Sequence, residues 1–232
     1  SAKAMAAGQR LLNANLADAV LVGGVDTLCQ LTLNGFNSLE SLSNSICRPC
    51  GEQRDGINIG EAAGLFLLAK APAPVMLLSS GESMDAWHIS APHPEGQGAA
   101  KAMQQALDRA GLKACDIGYL NLHGTATAQN DAMEIKAVRT VFECYQVLLS
   151  STKQKTGHCL GAAGAIEAVI CQQILLDQSW LPLHQNGELD HALADQQYVR
   201  DSHLAQPIRY AMSNSFAFGG SNISLIFGTV LP

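Results

Sequence analysis

Charge is scarce in this sequence, and positive charge is scarcest. Charged residues make up 15% of 232; 14 Lys and Arg face 20 Asp and Glu, leaving a net charge of −6. A nucleic-acid binder needs a basic footprint, so that class is excluded. Long hydrophobic runs are missing too: no uninterrupted apolar stretch reaches the roughly 18 residues of a membrane span. The opening residues Ser1-Ala2-Lys3-Ala4-Met5-Ala6-Ala7 lack the charge, apolar core and cleavage site of a signal peptide. They read as the middle of a longer chain, processed or truncated. Cysteine pairing is also wanting. The seven cysteines stand singly apart from Cys47-Arg48-Pro49-Cys50. An odd count of scattered thiols suits the reducing cytoplasm. With no second Cys pair and no His-x-x-x-His to complete four ligands, no metal site is expected.

The 47% of hydrophobic residues and the length allow a sizeable core in one large domain or two small ones. Ala4 to Asp18 has a helical pattern, and Ala19-Val20-Leu21-Val22 reads as a strand stopped by Gly23-Gly24. A polar connection then runs to about Asp55, before a buried strand at Gly64 to Ala69. Ala71-Pro72-Ala73-Pro74 continues neither helix nor central strand, which sets a boundary between 1–73 and 74–232. Beyond it, strands are expected at Val75–Leu78, Ile117–Leu122, Val147–Ser150, Arg209–Met212 and Ile223–Phe227. Helices are expected at Gly98–Ala110, Asp131–Val141 and Gly157–Asp177. Such alternation predicts an α/β fold with a layered sheet.

Two histidines follow predicted strands, where α/β folds place ligands. His123 lies in His123-Gly124-Thr125-Ala126-Thr127. His158 lies at the expected start of a helix, whose dipole would keep it neutral. Lys153 sits in the same connection and adds a fixed charge. A neutral imidazole can donate to a developing oxyanion, provided its other nitrogen is held by the surroundings. A single histidine at a strand end is more often structural than catalytic; two, both flanked by glycine and accompanied by Lys and Thr, point to acyl or carbonyl chemistry. His184, His191 and His203 lie in a polar stretch that reads as surface.

The blocks Arg54-Asp55-Gly56, Gly60-Glu61-Ala62-Ala63-Gly64, Asp85-Ala86-Trp87-His88, Asn130-Asp131-Ala132-Met133-Glu134, Ser151-Thr152-Lys153, Thr156-Gly157-His158 and Asn214-Ser215-Phe216-Ala217-Phe218-Gly219-Gly220 occur in this order. Together they resemble the β-ketoacyl-acyl carrier protein synthases over essentially the whole chain. The resemblance implies a thiolase-like α-β-α-β-α fold with an incomplete N-terminal half (1–73) and a complete C-terminal half (74–232). It implies a decarboxylative condensation of acyl and malonyl thioesters, in fatty acid or polyketide synthesis. His123 and His158 match the pair that activates decarboxylation, and Lys153 the supporting lysine. Thr125 and Thr127 match hydroxyls that bind the phosphopantetheine arm, and Phe216 and Phe218 the gating aromatics. Asp131 and Glu134 match acidic residues that support the site by hydrogen bonds and ion pairing. No cofactor is implied beyond that arm of acyl carrier protein, and the expected assembly is a homodimer or a ketosynthase-like heterodimer. Lys3, Arg10 and Lys101 are candidate docking charges.

The sequence also departs from this family. The nucleophilic cysteine would fall just before Ser1, so this chain alone is expected to be inactive. Cys159, beside His158, is expected inside a helix as a packing residue. Ala217 replaces a usual glycine, and its methyl should restrict positive φ in the gate. A chain-length-factor-type partner subunit, which usually loses catalytic residues, is the competing reading. Intact His123, Lys153 and His158 oppose it. A thiolase is disfavoured because no second cysteine stands in the Asn214–Phe218 loop.

Overall fold

The computed structural model describes residues 1–185 and 187–229. Its elements alternate as expected. Helix α1 (Ala2–Asn13) leads to strand β1 (Ala19–Asp26), helix α2 (Gln30–Ser38) and strand β2 (Ala62–Ala69). Then come β3 (Val75–Met84), α3 (Gln97–Ala110), β4 (Tyr119–Asn121), α4 (Ala128–Phe142) and β5 (Leu148–Ser150). The short helix α5 (Lys153–Thr156), the long α6 (Ala163–Asp177), β6 (Tyr210–Ala217) and β7 (Ser221–Thr229) complete the order.

The strands form two sheets. β1 and β2 make an antiparallel pair; the larger sheet has the order β3-β7-β6-β4-β5, with β4 parallel to both neighbours. Helices α1 and α6 pack between the sheets, and one core gathers there around Met5, Ala165, Cys171, Ile174 and Leu225. Helices α3 and α4 cover the other face, where Met103, Leu107, Ile135, Val138 and Leu149 form a second core. The outer face of the β1–β2 pair exposes Leu21, Leu65 and Leu67.

Several elements outrun their sequence signals. β1 continues through Gly23-Gly24, expected as a stop. A Cβ on Gly23 would lie 2.0 Å from the Gly64 carbonyl oxygen, so glycine lets the strands approach instead of ending them. β3 runs on through Ser79-Ser80-Gly81. Ser79 donates to the Ala106 carbonyl (2.6 Å), and α3 lies where a Gly81 side chain would stand. The α1 helix ends at Asn13, not Asp18; Asn15 turns left-handed beyond it. The helix expected from Gly157 starts later: a turn at Leu160–Ala162 precedes α6, and the separate α5 ends at Thr156. Leu160–Asp177, interrupted by Glu167, Gln172 and Gln173, is long and apolar enough to span a membrane by length and composition alone. Half of it is buried between the sheets, around the charged side chain of Glu167.

Candidate active site

His123 follows β4, the middle of the parallel strands, and α4 holds its turn in place. The Glu134 carboxylate accepts the backbone N–H of His123 (2.8 Å) and of Gly124 (2.7 Å). Asn214 of β6 donates to the same carboxylate at 3.2 Å. One helical turn earlier, Asp131 accepts from the backbone of Cys50 (2.7 Å) and Ala126 (3.2 Å). Ala126 has φ 64, a left-handed conformation that its methyl disfavours. Its N–H is held by Asp131, and its carbonyl accepts from Gly56 at 3.0 Å. Asp131 and Glu134 therefore support the site through hydrogen bonds; the expected ion pairing does not occur among the described residues. Burial raises both carboxyl pKa values, that of Glu134 to about 7, against the pull of the donated N–H groups.

His158 sits in the break between α5 and α6, so no helix dipole acts directly on it as expected. Its N–H donates to the Asn58 carbonyl (2.7 Å), and its carbonyl accepts from Gly60 (3.1 Å). The glycine-rich block thus serves as the rail that positions His158. Burial keeps the ring neutral, with the Lys153 charge assisting, and lowers its pKa to about 3. His123 is lowered well below the imidazole range by burial, Lys153 and His158. The two rings stand 5.3 Å apart between centroids and nearly perpendicular, at 84°.

Neither Nδ1 has a hydrogen-bond partner among the described residues, although both atoms are sealed from solvent. The expected support for the second nitrogens is therefore missing. A buried N–H without an acceptor is rarer than a buried lone pair without a donor. With the proton on Nε2, each neutral ring would leave only a lone pair on Nδ1 without a partner. Both histidines line one cavity of about 430 Å³.

Thr125, Thr127, Phe216 and Phe218 line that cavity as well. The two threonine hydroxyls bond each other at 2.9 Å. The Phe216 ring lies 6.1 Å from His123. Phe218 is half-exposed in the β6–β7 turn and stacks on Phe36 of α2, centroids 5.7 Å apart. Ala217 has φ −112, so its methyl strains nothing here; the left-handed positions of the turn are Gly219 and Gly220. Lys153, Asp131 and Glu134 stand behind the cavity wall. Lys153 is buried and ion-paired with Glu167 of α6. Of the candidate docking charges, Lys3 and Arg10 converge on Glu82, while Lys101 is exposed.

Sequence reasoning missed Glu167, although a lone carboxylate in a run of small and apolar residues was the available signal. It also misplaced His184, which is buried, not on the surface; His191 and His203 are exposed as expected. Cys159 precedes the turn and not the helix interior. It is buried, its thiol 3.4 Å from the Thr156 carbonyl.

Known proteins resemble this chain in sequence and fold. The profile of the β-ketoacyl synthase N-terminal domain matches residues 1–73, and that of the C-terminal domain residues 75–187. The chain belongs to the β-ketoacyl synthase family. A 3-oxoacyl-acyl-carrier-protein synthase 2 of Staphylococcus aureus is 37% identical over 227 residues, covering 91% of this chain and 56% of that protein. A ketosynthase in complex with its chain length factor from Xenorhabdus doucetiae superposes with a TM-score of 0.95 at 48% identity, covering 99% of this chain and 58% of that one. A β-ketoacyl synthase of Burkholderia phymatum gives 0.92 at 32% identity, over 99% and 59%. The fold of this β-ketoacyl synthase chain is thus the thiolase-like α/β type. The chain spans little more than half the length of these relatives.

Proposed function

We propose that this chain carries the decarboxylation site of a β-ketoacyl-acyl carrier protein synthase, an acyltransferase. The observation that carries the reading is the perpendicular pair of neutral imidazoles sharing one cavity. A malonyl thioester in that cavity would place its thioester oxygen between the two Nε2–H groups. The bond to its carboxylate breaks, carbon dioxide leaves, and the electron pair moves into an enolate whose charge rests on that oxygen. Preorganised donors in a water-poor site stabilise such charge, roughly 3–4 kcal/mol for one donor. The enolate carbon then attacks an acyl group held as a thioester on a cysteine, and the thiolate leaves. Among the described residues no cysteine of this chain lines the cavity, so the acyl-bearing thiol would come from outside these 232 residues.

Thr125 and Thr127 would bind the phosphopantetheine arm, and Phe216 and Phe218 would guard the acyl path. Lys153, already paired with Glu167, acts through its field by disfavouring charge on both rings. We assign 1–73 to the remainder of one thiolase-like half and 74–232 to the other half. The partners would be acyl carrier protein and a second ketosynthase-type subunit, identical or not. No cofactor is needed beyond the carrier's arm. Seven unpaired thiols suit a cytoplasmic setting.

The test is release of carbon dioxide from malonyl-carrier protein by the native protein. His123→Ala and His158→Ala should each cut the rate by about 10²-fold or more. The competing reading, a chain-length-factor-type subunit, has its support in the complexes among the structural relatives. Decarboxylation unaffected by both substitutions would favour it.

A further inference from the structure

His184 is the buried histidine that the proposed mechanism leaves unused. It lies in the segment after α6, and its backbone N–H donates to the Val199 carbonyl at 2.9 Å, which fixes where the side chain starts. Its ring packs 4.6 Å from that of Tyr198. The ring nitrogens are both engaged, unlike those of His123 and His158. Ser151 donates its backbone N–H to Nδ1 at 3.1 Å, so Nδ1 holds a lone pair and the proton is on Nε2. Nε2 then donates to the Pro49 carbonyl, 2.8 Å away.

Those two contacts join loops that converge on the site. Ser151 opens the turn carrying Lys153, and its hydroxyl donates to the Gly124 carbonyl (2.7 Å), directly after His123. The Lys153 N–H donates to the same hydroxyl at 3.3 Å. On the other side, Pro49 lies between Cys47, whose thiol donates to the Lys153 carbonyl (3.3 Å), and Cys50, whose N–H donates to Asp131 (2.7 Å). One imidazole therefore ties the Lys153 turn to the Arg48-Pro49-Cys50 turn, and through Ser151 to the His123 turn.

We infer that His184 is a positioning residue: a neutral Nε2–H strut that sets the Lys153 and His123 turns for decarboxylation. The assignment rests on the proposed function of the two cavity histidines. The bland alternative is a histidine that only fills space and satisfies two backbone groups. His184→Leu removes both hydrogen bonds under either reading, but only the strut predicts a fall in kcat and a disturbed His123 in a protein that still folds.

The experiment compares native protein with His184→Leu and His184→Gln. Gln supplies a carbonyl acceptor and an amide donor on one side chain. For carbon dioxide release from malonyl-carrier protein, His184→Leu should lower kcat about tenfold or more, since small misplacements of catalytic groups cost this much, with KM within about twofold. His184→Gln should recover most of the loss. Imidazole ¹⁵N spectra of the same proteins should show His184 as the Nε2–H tautomer in the native protein, and shifted His123 resonances in His184→Leu. Equal kcat in all three, or a loss in KM alone, overturns the strut, as does an Nδ1–H tautomer at His184. A native protein that releases no carbon dioxide fails the functional reading instead; the ¹⁵N spectra then still decide the strut.

Discussion

Glu134 shows how much of the chemistry is set one residue behind the cavity. Its two carboxylate oxygens serve two adjacent backbone N–H groups, those of His123 and Gly124. In Glu134→Gln one oxygen becomes an amide that cannot accept, so one buried N–H is stranded. That should cost about 1–3 kcal/mol in urea unfolding and move His123. An unchanged urea midpoint would show that the cradle is dispensable. His158 offers a pH test. Its folded pKa, about 3, lies below the ordinary imidazole value of about 6.5, so the unfolded chain takes up a proton first as pH falls. The stability it contributes is complete above pH 6.5 and is lost as pH drops towards 3, by about 2 kcal/mol at pH 5. Glu134 acts in the opposite sense: its raised pKa gives stability that is complete below 4.5 and lost as pH rises through about 7. The comparison that isolates the ring is native protein against His158→Asn, whose deficit in unfolding free energy should shrink between pH 7 and pH 5. Parallel pH curves would contradict a neutral, buried His158. Residue type and spacing singled out His123, His158 and Lys153, and the structure brings the two rings into one cavity with Lys153 buried nearby. They could not reveal burial, which is why His184, in a polar stretch, was read as surface and Glu167 was passed over.

At the scale of elements, close backbone approach decides where loops sit. A Cβ on Gly60 would lie 2.0 Å from the Thr156 carbonyl oxygen. Gly60→Ala should push the 58–60 rail off the His158 loop and cost about 1–3 kcal/mol in unfolding free energy, as overpacking does. A crystal structure with an undisplaced His158 loop would refute that. The β6–β7 turn invites another comparison. Ala217 is extended in this state, so its methyl limits only the turn's excursions. Ala217→Gly should broaden the range of acyl lengths condensed by the intact protein; matching chain-length profiles for the two proteins would end the idea. The elements with apolar periodicity and clean stops were legible in sequence, such as α3 with Gly111 left-handed at its end. Helix α2 was not, because none of its residues is buried and no apolar stripe marks it. Serine and glycine hid the second half of β3, since their function there is to let α3 approach.

Over the whole molecule, the turn after β4, the break before α6 and the β6–β7 turn meet at the cavity, and alternating strand and helix signals were sufficient to anticipate an α/β fold. The β1–β2 pair leaves Leu21, Leu65 and Leu67 exposed, and the chain spans little more than half the length of its relatives. Decarboxylation in this cavity requires two rings that remain uncharged and protonated at Nε2 in the assembled fold. Heteronuclear ¹⁵N titration of the imidazoles in the native protein addresses this directly. Both His123 and His158 should show Nε2–H signatures from pH 8 to pH 5, without a titration step. A protonated imidazolium on either ring at pH 7, or the proton on Nδ1, would contradict it.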